Sequence, residues 1–364
     1  MKTWASIGIP IIIGMFFTNA LAQSPEPFKL GTLQRGNETF LGLVLRDSVV
    51  VNVGRASAAL ERAPGAPKVR TPRDMKELIS RYEEVRARLY AIAASANAGG
   101  QRPGYVYDLK SLKILPPVMY PTTILNAAVN YREHDAEMQA RPGADTRPKD
   151  PPKSIPGIWE RKPDDTRQNP YLFPKPISAV IADGEAIRVP NGRERVDWEC
   201  ELNVVIGRTA RRVPVERAAE HIFGYTLQND VSDRGGRGDG RHGSDWLLGK
   251  AHDTFAPLGP FIVPKEFIKD PQKLAVQFRL SGKVMQDSNT ERMTHNVFEM
   301  LSYASNIVTL RPGDVISMGS PAGVGTARET PIYMKQGDLA ECTIESIGTL
   351  TNPVVGPDQP RTSN

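Results

Sequence analysis

The chain has 364 residues, of which 40% are hydrophobic and 24% are charged. These values exclude an intrinsically disordered chain and are typical of a soluble globular protein with one large domain and a smaller one. The 46 lysines and arginines against 41 aspartates and glutamates give a formal net charge of +5. The basic residues are scattered, so composition does not favour a nucleic-acid-binding protein. The 31 prolines and 31 glycines predict many turns, and therefore β-structure and long loops rather than helices.

The first 22 residues have the pattern of a secretory signal peptide. Lys2 provides a positive start, residues 7–17 form a short apolar run, and Ala20-Leu21-Ala22 fits the small-x-small cleavage pattern. The run is short for a bilayer span, which makes a single-pass anchor the less favoured alternative. The sequence therefore predicts cleavage after Ala22 and an exported protein, periplasmic or secreted, with no remaining membrane attachment.

Residues 23–118 are predicted to form a small N-terminal α/β domain. Residues 28–53 alternate apolar and polar side chains around a turn at Gly36, which predicts two or three antiparallel strands. Thr71 as N-cap, with Pro72 at the first helical position, predicts a helix that ends before Gly99. Apolar residues recur along it at helical spacing: Leu78, Ile79, Tyr82, Val85, Leu89 and Ile92.

Residues 119–356 are predicted to form a larger domain, and residues 357–364 a tail. From residue 172 onward the chain is a series of short β-like segments separated by Gly and Pro turns, with helices expected near residues 215–222 and 297–310. Residues 141–170 are rich in proline and charge and show no period, which is typical of a lid or a disordered tip.

The stretch DWECEL, residues 197–202, places charged side chains at the entry to an apolar strand. In an extended strand, Glu199 and Glu201 project to one face and Cys200 to the other. Two neighbouring carboxylates repel each other, so either a cation lies between them or the pair points into solvent, and spacing alone favours solvent. Cys200 and Cys342 are the chain's two cysteines, and for each the expected state is a buried free thiol.

Three other segments supply side chains that could complete such a site. Asp230 ends an apolar strand and offers a third carboxylate, and Lys250 precedes a Pro/Gly turn where it could stabilise developing negative charge. His134 and Glu137 are three residues apart, so on a helix they share a face on which the carboxylate can orient the imidazole as a general base. His242 and His252 lie near the presumed site, but neither has metal-ligand spacing to another histidine or to a cysteine, which argues against zinc.

Together these segments resemble the fumarylacetoacetate hydrolase family. The resemblance covers residues 122–354 and rests on NYREHDAE, FPKPISAVI, DWECELNVVIG, GYTLQNDVSDR, GKAHDTFAPLGP, RPGDVISMGSPAGVG and MKQGDLAECTIESIGTLTNPV, in the family's order. It implies an α+β, mainly β fold with a mixed β-roll or barrel-like catalytic domain, usually assembled as a homodimer. It also implies a divalent cation, with Mg²⁺ favoured and Mn²⁺ or Ca²⁺ as alternatives.

The resemblance further implies a role for individual residues. The metal ligands would be Glu199, Glu201 and Asp230, and the catalytic residues would be His134, Glu137 and Lys250. Gly319 and Ser320 match the family's substrate-binding turn, and Tyr131, Arg234 and Arg237 are further candidates for substrate binding. Ser320 stands where the family usually has threonine, and Arg237 stands where it often has glutamine. Arginines in this loop suggest a carboxylate-bearing substrate, with a solvated mobile hairpin as the alternative.

The expected function is metal-dependent hydrolysis of a C–C bond in a β-diketo acid such as an acylpyruvate or fumarylacetoacetate. An isomerase, decarboxylase or dehydratase acting on a 2-oxo acid at the same metal site is the alternative. A second alternative is an exported ligand-binding protein without catalysis, which the complete set of catalytic and metal-binding candidates disfavours. The expected partner is a small anionic oxo acid, and neither nucleic acid nor membrane is expected as a partner.

Overall fold

The structure is a computed structural model that describes residues 26–96, 102–140, 152–236 and 245–357. The predicted signal peptide, residues 1–22, lies outside the described residues, as do Arg237 and most of the predicted tail. Within the described ranges, no helix combines the length and the apolar character that a membrane crossing requires.

The N-terminal part consists of an antiparallel sheet covered by helices. Its strands are β1 (Lys29–Arg35), β2 (Glu38–Leu45), β3 (Val49–Asn52), β4 (Val106–Asp108) and β5 (Lys113–Leu115). Its helices are α1 (Val53–Leu60), α2 (Met75–Ser80) and α3 (Tyr82–Ala96). The hairpin of β1 and β2 turns at Gly36 as predicted, and its register runs from Lys29↔Val44 to Arg35↔Glu38.

The predicted N-terminal helix is two helices rather than one. The carboxylate of Asp74, not the hydroxyl of Thr71, caps α2 by accepting a hydrogen bond from the backbone N–H of Glu77. Arg81 leaves helical geometry between α2 and α3, with φ −109° and ψ 20°. The apolar stripe is buried as predicted, since all six of its residues contribute to the core of this part.

The remaining strands and helices form the larger part of the molecule. The strands are β6 (Ile124–Ala127), β7 (Leu172–Pro174), β8 (Val180–Ile181), β9 (Ile187–Arg188), β10 (Val196–Asp197), β11 (Cys200–Ile206), β12 (Ile222–Asn229), β13 (Ser232–Asp233), β14 (Ala256–Pro264), β15 (Ala275–Leu280), β16 (Lys283–Asn289), β17 (Val315–Ser317), β18 (Leu339–Ile344) and β19 (Gly348–Val355). The helices are α4 (Arg132–Ala140), α5 (Trp246–Lys250) and α6 (Val297–Ile307). The helix expected near residues 215–222 is a 3₁₀ segment, Val215–His221.

Two large sheets position the site. The larger has the order β4-β3-β2-β1-β14-β12-β11-β17-β6-β7, with β5 attached to β1 and β8 to β14. The smaller has the order β16-β15-β18-β19-β9. The larger sheet runs from the N-terminal part into the rest of the chain because β1 pairs with β14, Leu30 opposite Ile262. The α+β, mainly β fold is confirmed, with sheets that stay open and do not close into a barrel.

The two sheets pack face to face around the main core. One face of β11 contributes Leu202, Val204 and Ile206 to this core, and the smaller sheet contributes Val276 and Ile344 among others. These side chains are fully buried or nearly so. Burial of apolar surface between the sheets therefore fixes which face of β11 is turned away from the core.

A disulfide joins Cys200 of β11 to Cys342 of β18, with the two Cα atoms 5.4 Å apart. The expectation of free thiols is wrong. Its physical reason lies in the sheet packing: the face of β11 that carries Cys200 meets β18 of the other sheet, so two cysteines 142 residues apart in sequence become neighbours. The prediction that Cys200 points away from Glu199 and Glu201 agrees with this placement.

Candidate active site

Three carboxylates meet where β11 and β12 lie side by side. Glu199 immediately precedes β11, Glu201 lies within it, and Asp230 immediately follows β12. The backbone N–H of Asp230 donates to the carbonyl of Glu199 over 2.7 Å, and one oxygen from each of the three side chains lies within 4.8 Å of the others. All three residues are buried, at 6%, 1% and 1% exposure, so the solvent-facing alternative for the two glutamates is wrong.

Three cations, two buried lysines and a partly buried arginine, hold this carboxylate cluster. The ammonium of Lys250 donates to Glu199 and to Asp230, the latter over 2.7 Å. The ammonium of Lys175 donates to the other oxygen of Asp230 and, over 3.1 Å, to the carbonyl of Val231. Arg234 donates to the second oxygen of Glu199. Two of the three carboxylates therefore have both oxygens paired with cations.

The pKa values of the paired groups follow from this arrangement. Burial alone would raise the pKa of Glu199, but the charges of Lys250 and Arg234 bring it well below its ordinary value. Burial likewise opposes the charge of Lys250, yet Asp230 and Glu199 raise its pKa above the usual value. For Lys175, burial is the largest effect and lowers the pKa to about 8 despite the contact with Asp230.

Glu201 is the carboxylate of the cluster that does not form an ion pair with these three cations. Its Oε1 is buried and has no hydrogen-bond partner among the described residues, while Oε2 accepts from the hydroxyl of Ser317 and the backbone N–H of Gly319. Burial, together with the charges of Asp230 and Glu199, raises the pKa of Glu201 well above its ordinary value. An unpaired buried oxygen in a cluster of carboxylates fits a hard divalent cation, which prefers oxygen ligands.

His134 and Glu137 form the predicted pair on α4. The imidazole Nδ1 lies 2.7 Å from Oε1 of Glu137, and the other oxygen of this carboxylate accepts from the backbone N–H of Gly323 over 2.9 Å. His134 is 3% exposed and lies close enough to Glu199 to contribute to the lowered pKa of that carboxyl. The pair therefore presents Nε2 as the ring nitrogen that the Glu137 contact leaves unused.

The turn of residues 319–325 fixes both groups of acidic side chains. Gly319 (φ 87°) donates to Glu201 and Gly323 (φ 101°) to Glu137. A Cβ on Gly319 would lie 2.8 Å from the Cβ of Asn130, and one on Gly323 only 2.3 Å from the carbonyl oxygen of Met285. Only glycine fits both the positive φ and this close packing. The predicted substrate-binding turn thus also supports the carboxylates.

Arg234 lies between two carboxylates rather than facing open space. Its Nε donates to Oδ2 of Asp197 over 3.0 Å and its other nitrogen to Glu199. Asp197 in turn accepts from the backbone N–H groups of Gly325, over 2.7 Å, and Thr326, over 3.0 Å. Burial raises the pKa of Asp197, against the effect of Arg234. Asp197 therefore links Glu199, through Arg234, to the glycine turn.

The other predicted substrate-binding residues are placed as follows. Tyr131 is fully buried, its hydroxyl has no hydrogen-bond partner among the described residues, and burial followed by Glu201 raises its pKa. The hydroxyl of Ser320 accepts from the amide of Gln286 over 2.8 Å. Arg237 lies outside the described residues. The substrate-binding roles of these residues, and of Gly319 and Arg234, stay predictions.

Two residues of the site were missed by the sequence reasoning. Lys175 follows β7 and reaches Asp230 from a strand 55 residues earlier in the chain. Its position between Pro174 and Pro176, directly after an apolar strand, was the feature of the sequence that could have indicated a role in the site. Asp197 begins DWECEL, but its short side chain gives no sign in the sequence that it accepts hydrogen bonds from residues 325 and 326.

Residues 123–355 match the model of the fumarylacetoacetate (FAA) hydrolase C-terminal family. The chain belongs to this family. It is 35% identical over 251 residues to oxaloacetate tautomerase fahd2, mitochondrial, of Xenopus laevis, covering 69% of this chain and 71% of the relative. A 5-carboxymethyl-2-hydroxymuconate delta-isomerase structure from Mycobacterium smegmatis is 29% identical, with a TM-score of 0.61 and coverage of 91% and 100% of the two chains. A maleylpyruvate hydrolase structure from Sphingobium sp. SYK-6, in complex with manganese(II) and pyruvate, is 25% identical, with a TM-score of 0.64 and the same coverage.

These family members are enzymes, and they include a hydrolase, an isomerase and a tautomerase. A divalent-metal site at Glu199, Glu201 and Asp230 is consistent with the manganese in one of the similar structures. The predicted export is wrong: the Xenopus relative is named as a mitochondrial protein. A short apolar run behind a single lysine is weak evidence for a secretory signal.

Proposed function

We propose that this family member is a metal-dependent hydrolase that cleaves a C–C bond in a β-diketo acid of the acylpyruvate or fumarylacetoacetate type. The observation that carries the proposal is the His134–Glu137 pair, with its Nδ1–Oε1 distance of 2.7 Å, on the edge of a buried carboxylate cluster. Hydrolysis needs a base for water, and this pair has the geometry of one.

Glu199, Glu201 and Asp230 would hold the divalent cation, Mg²⁺ by preference and Mn²⁺ or Ca²⁺ as alternatives, which when bound polarises neighbouring substrate oxygens as a Lewis acid. Glu137 holds the imidazole of His134 by accepting its Nδ1–H, which leaves Nε2 to take a proton from water. The ammonium of Lys250, already oriented by Asp230 and Glu199, stabilises negative charge on the attacked carbonyl oxygen.

The reaction balances without any further reactant. The water oxygen bonds to the distal carbonyl carbon, and the bond from that carbon to the methylene carbon then breaks. The electron pair stays with the 2-oxo acid fragment as an enolate, and the proton held by His134 returns to its carbon. The products are one carboxylic acid and one 2-oxo acid, pyruvate in the case of an acylpyruvate.

A tautomerase or isomerase of a 2-oxo acid is the second candidate. The names of the Xenopus relative and the Mycobacterium smegmatis structure favour it. Such a reaction moves a proton between carbon and oxygen without adding water, and the same His134 and Lys250 could carry it out. Decarboxylation and dehydration use the same enolate chemistry. A non-catalytic ligand-binding protein fits less well, because the base, the lysine and the acidic cluster are all assembled.

Turnover in ¹⁸O-water with a metal-supplemented panel of acylpyruvates and other 2-oxo acids separates these candidates. Hydrolysis places label in the new carboxylate, whereas isomerisation consumes substrate and labels no new carboxylate. His134→Ala should lose at least about 100-fold in hydrolysis while binding Mn²⁺ as wild type does. Full hydrolytic activity in this variant would exclude the proposed base. Tight binding of one of these compounds without turnover of any of them would favour the non-catalytic ligand-binding function.

We also propose that the protein is a homodimer and that its substrate is a small anionic oxo acid. The support is the family's usual assembly, as the sequence resemblance implies it. Light scattering of the purified protein tests the assembly, and a monomeric mass would refute it.

A further inference from the structure

Three aromatic side chains form a row that runs from the active-site lysine to the surface. Tyr171, Phe173 and Lys175 are alternate residues along β7 and its flanks, so they share one face of the strand. Trp246 opens α5, one turn before Lys250. The Trp246 ring packs against both aromatics of β7, with centroids 4.7 Å from Phe173 and 5.6 Å from Tyr171. We call Tyr171, Phe173 and Trp246 the aromatic row.

The inner end of the aromatic row touches the catalytic machinery. The ammonium of Lys250 lies 5.2 Å from the centroid of the Phe173 ring, and the same ammonium is bonded to Asp230 and Glu199. Lys175, two residues beyond Phe173, is bonded to the other oxygen of Asp230. The carboxylate cluster and the aromatic row are therefore contiguous, with Lys250 and Phe173 in contact where they meet.

The two outer residues of the aromatic row are exposed. Phe173 is 4% exposed, whereas Trp246 is 38% and Tyr171 50% exposed, and Leu247 beside Trp246 is 75% exposed. Large apolar side chains grouped at the surface are commonly binding sites. Continuity with Lys250 indicates that the group bound here belongs to the same small molecule that reacts at the cluster.

Among the residues that the structure describes, the charges of this region favour an uncharged group over a second carboxylate. Arg234, the described arginine that was predicted to hold one, is already bonded to Asp197 and Glu199. Beyond Lys250, the aromatic row offers ring faces rather than cations. Against these ring faces a negatively charged tail would lose its hydration without pairing with a cation of the row, whereas an apolar tail would gain by burial.

We infer that the aromatic row binds the distal acyl group of the substrate and selects 2,4-dioxo acids whose acyl group is aromatic or bulky and apolar. This inference rests on the proposed function for the reacting end of the molecule. In this arrangement the 2-oxo acid end lies at the carboxylate cluster and the acyl group lies along Trp246 and Tyr171. Trp246 and Tyr171 are then specificity-determining residues.

The test compares benzoylpyruvate, acetylpyruvate and a fumaryl-substituted pyruvate with the Mn²⁺-loaded full chain. Wild type should show the highest kcat/KM with benzoylpyruvate. Trp246→Ala should lose about 10- to 100-fold with benzoylpyruvate and far less with acetylpyruvate, and Trp246→Phe should restore most of the loss. Ile307→Ala is the matched control, because Ile307 is an apolar residue of α6 that is 52% exposed and lies outside the row.

Three results would overturn the inference: no preference for benzoylpyruvate in wild type, equal losses on both substrates in Trp246→Ala, or a change of solution mass in that variant. The last would show that the row is a contact between copies of the chain. Calorimetric binding of the same compounds separates this inference from the proposed function. Benzoylpyruvate binding that weakens in Trp246→Ala without any turnover would refute hydrolysis and keep the aromatic row as a binding site. If wild type neither binds nor turns over benzoylpyruvate, the proposed function and the role of the aromatic row are both refuted.

Discussion

The two faces of β11 and its N-terminal flank have opposite chemistry in one short stretch of chain. One face carries Glu199 and Glu201, and the other carries Cys200, Leu202 and Val204. The second face is packed into the core between the sheets, where burial of apolar surface stabilises the fold. The first face concentrates like charges, which costs stability unless cations pair with them. A single strand can therefore position a carboxylate cluster on one face because its opposite face is packed into the core.

The largest expected effect comes from removing a charge on the acidic face. Glu199→Gln leaves Arg234 and Lys250 facing an amide and deletes a ligand of the proposed cation. We expect metal-dependent turnover to be abolished and Mn²⁺ affinity to fall by more than about 100-fold, because even indirect partners of a metal contribute 10- to 100-fold. Calorimetric Mn²⁺ titration measures this. Glu329→Gln, at an exposed glutamate, is the control, and wild-type affinity in Glu199→Gln would show that no cation binds here.

A cavity on the apolar face should cost stability. Leu202 is fully buried, so Leu202→Ala should lower the free energy of unfolding by about 2–5 kcal/mol. Urea denaturation measures the change. Leu339→Ala, at a residue that is 38% exposed, should change it by less than about 0.5 kcal/mol. Similar losses in the two variants would contradict the assignment of Leu202 to the core between the sheets.

The disulfide on the apolar face should act on stability and not on the metal. Cys200→Ser combined with Cys342→Ser removes a link between residues 142 apart in sequence, so we expect a loss of about 2–4 kcal/mol in the free energy of unfolding. Mn²⁺ affinity should stay nearly unchanged, because Cys200 points away from the proposed ligands. Wild type in reducing buffer should match the double variant. A large loss of Mn²⁺ affinity would mean that the two faces are not independent.

The smallest expected effect comes from Asp197, which supports the acidic face of β11 indirectly, through Arg234. Asp197 accepts hydrogen bonds from Arg234 and from the backbone N–H groups of Gly325 and Thr326. Asp197→Asn should lower Mn²⁺ affinity by about 10- to 100-fold through misplacement of Arg234 and Glu199. Asp197→Glu should restore part of it if the charge, and not only the shape, matters. An affinity equal to that of wild type in Asp197→Asn would remove Asp197 from the positioning of Glu199.

The sequence predicted those features that depend on local periodicity. Strand alternation placed Glu199 and Glu201 opposite Cys200, and helical spacing paired His134 with Glu137. Features that depend on which strands become neighbours were not accessible in this way. Lys175 reaches Asp230 only because the sheet arrangement brings β7 near the end of β12, and the Cys200–Cys342 bond exists only because β18 packs across β11. The helix break at Arg81 also lacks a glycine or proline that would have marked it.

The pairing of β1 with β14 makes the N-terminal strands part of the same sheet that carries the candidate active site. The family match begins at residue 123, but cutting the chain there would expose the edge of β14 and uncover Val205, Phe223 and Ile262, which pack in the N-terminal core. An unpaired strand edge beside exposed apolar side chains favours aggregation. The smallest piece suitable for expression or for grafting into another protein is therefore larger than the segment that defines the family, and it includes the strands from residue 29 onward.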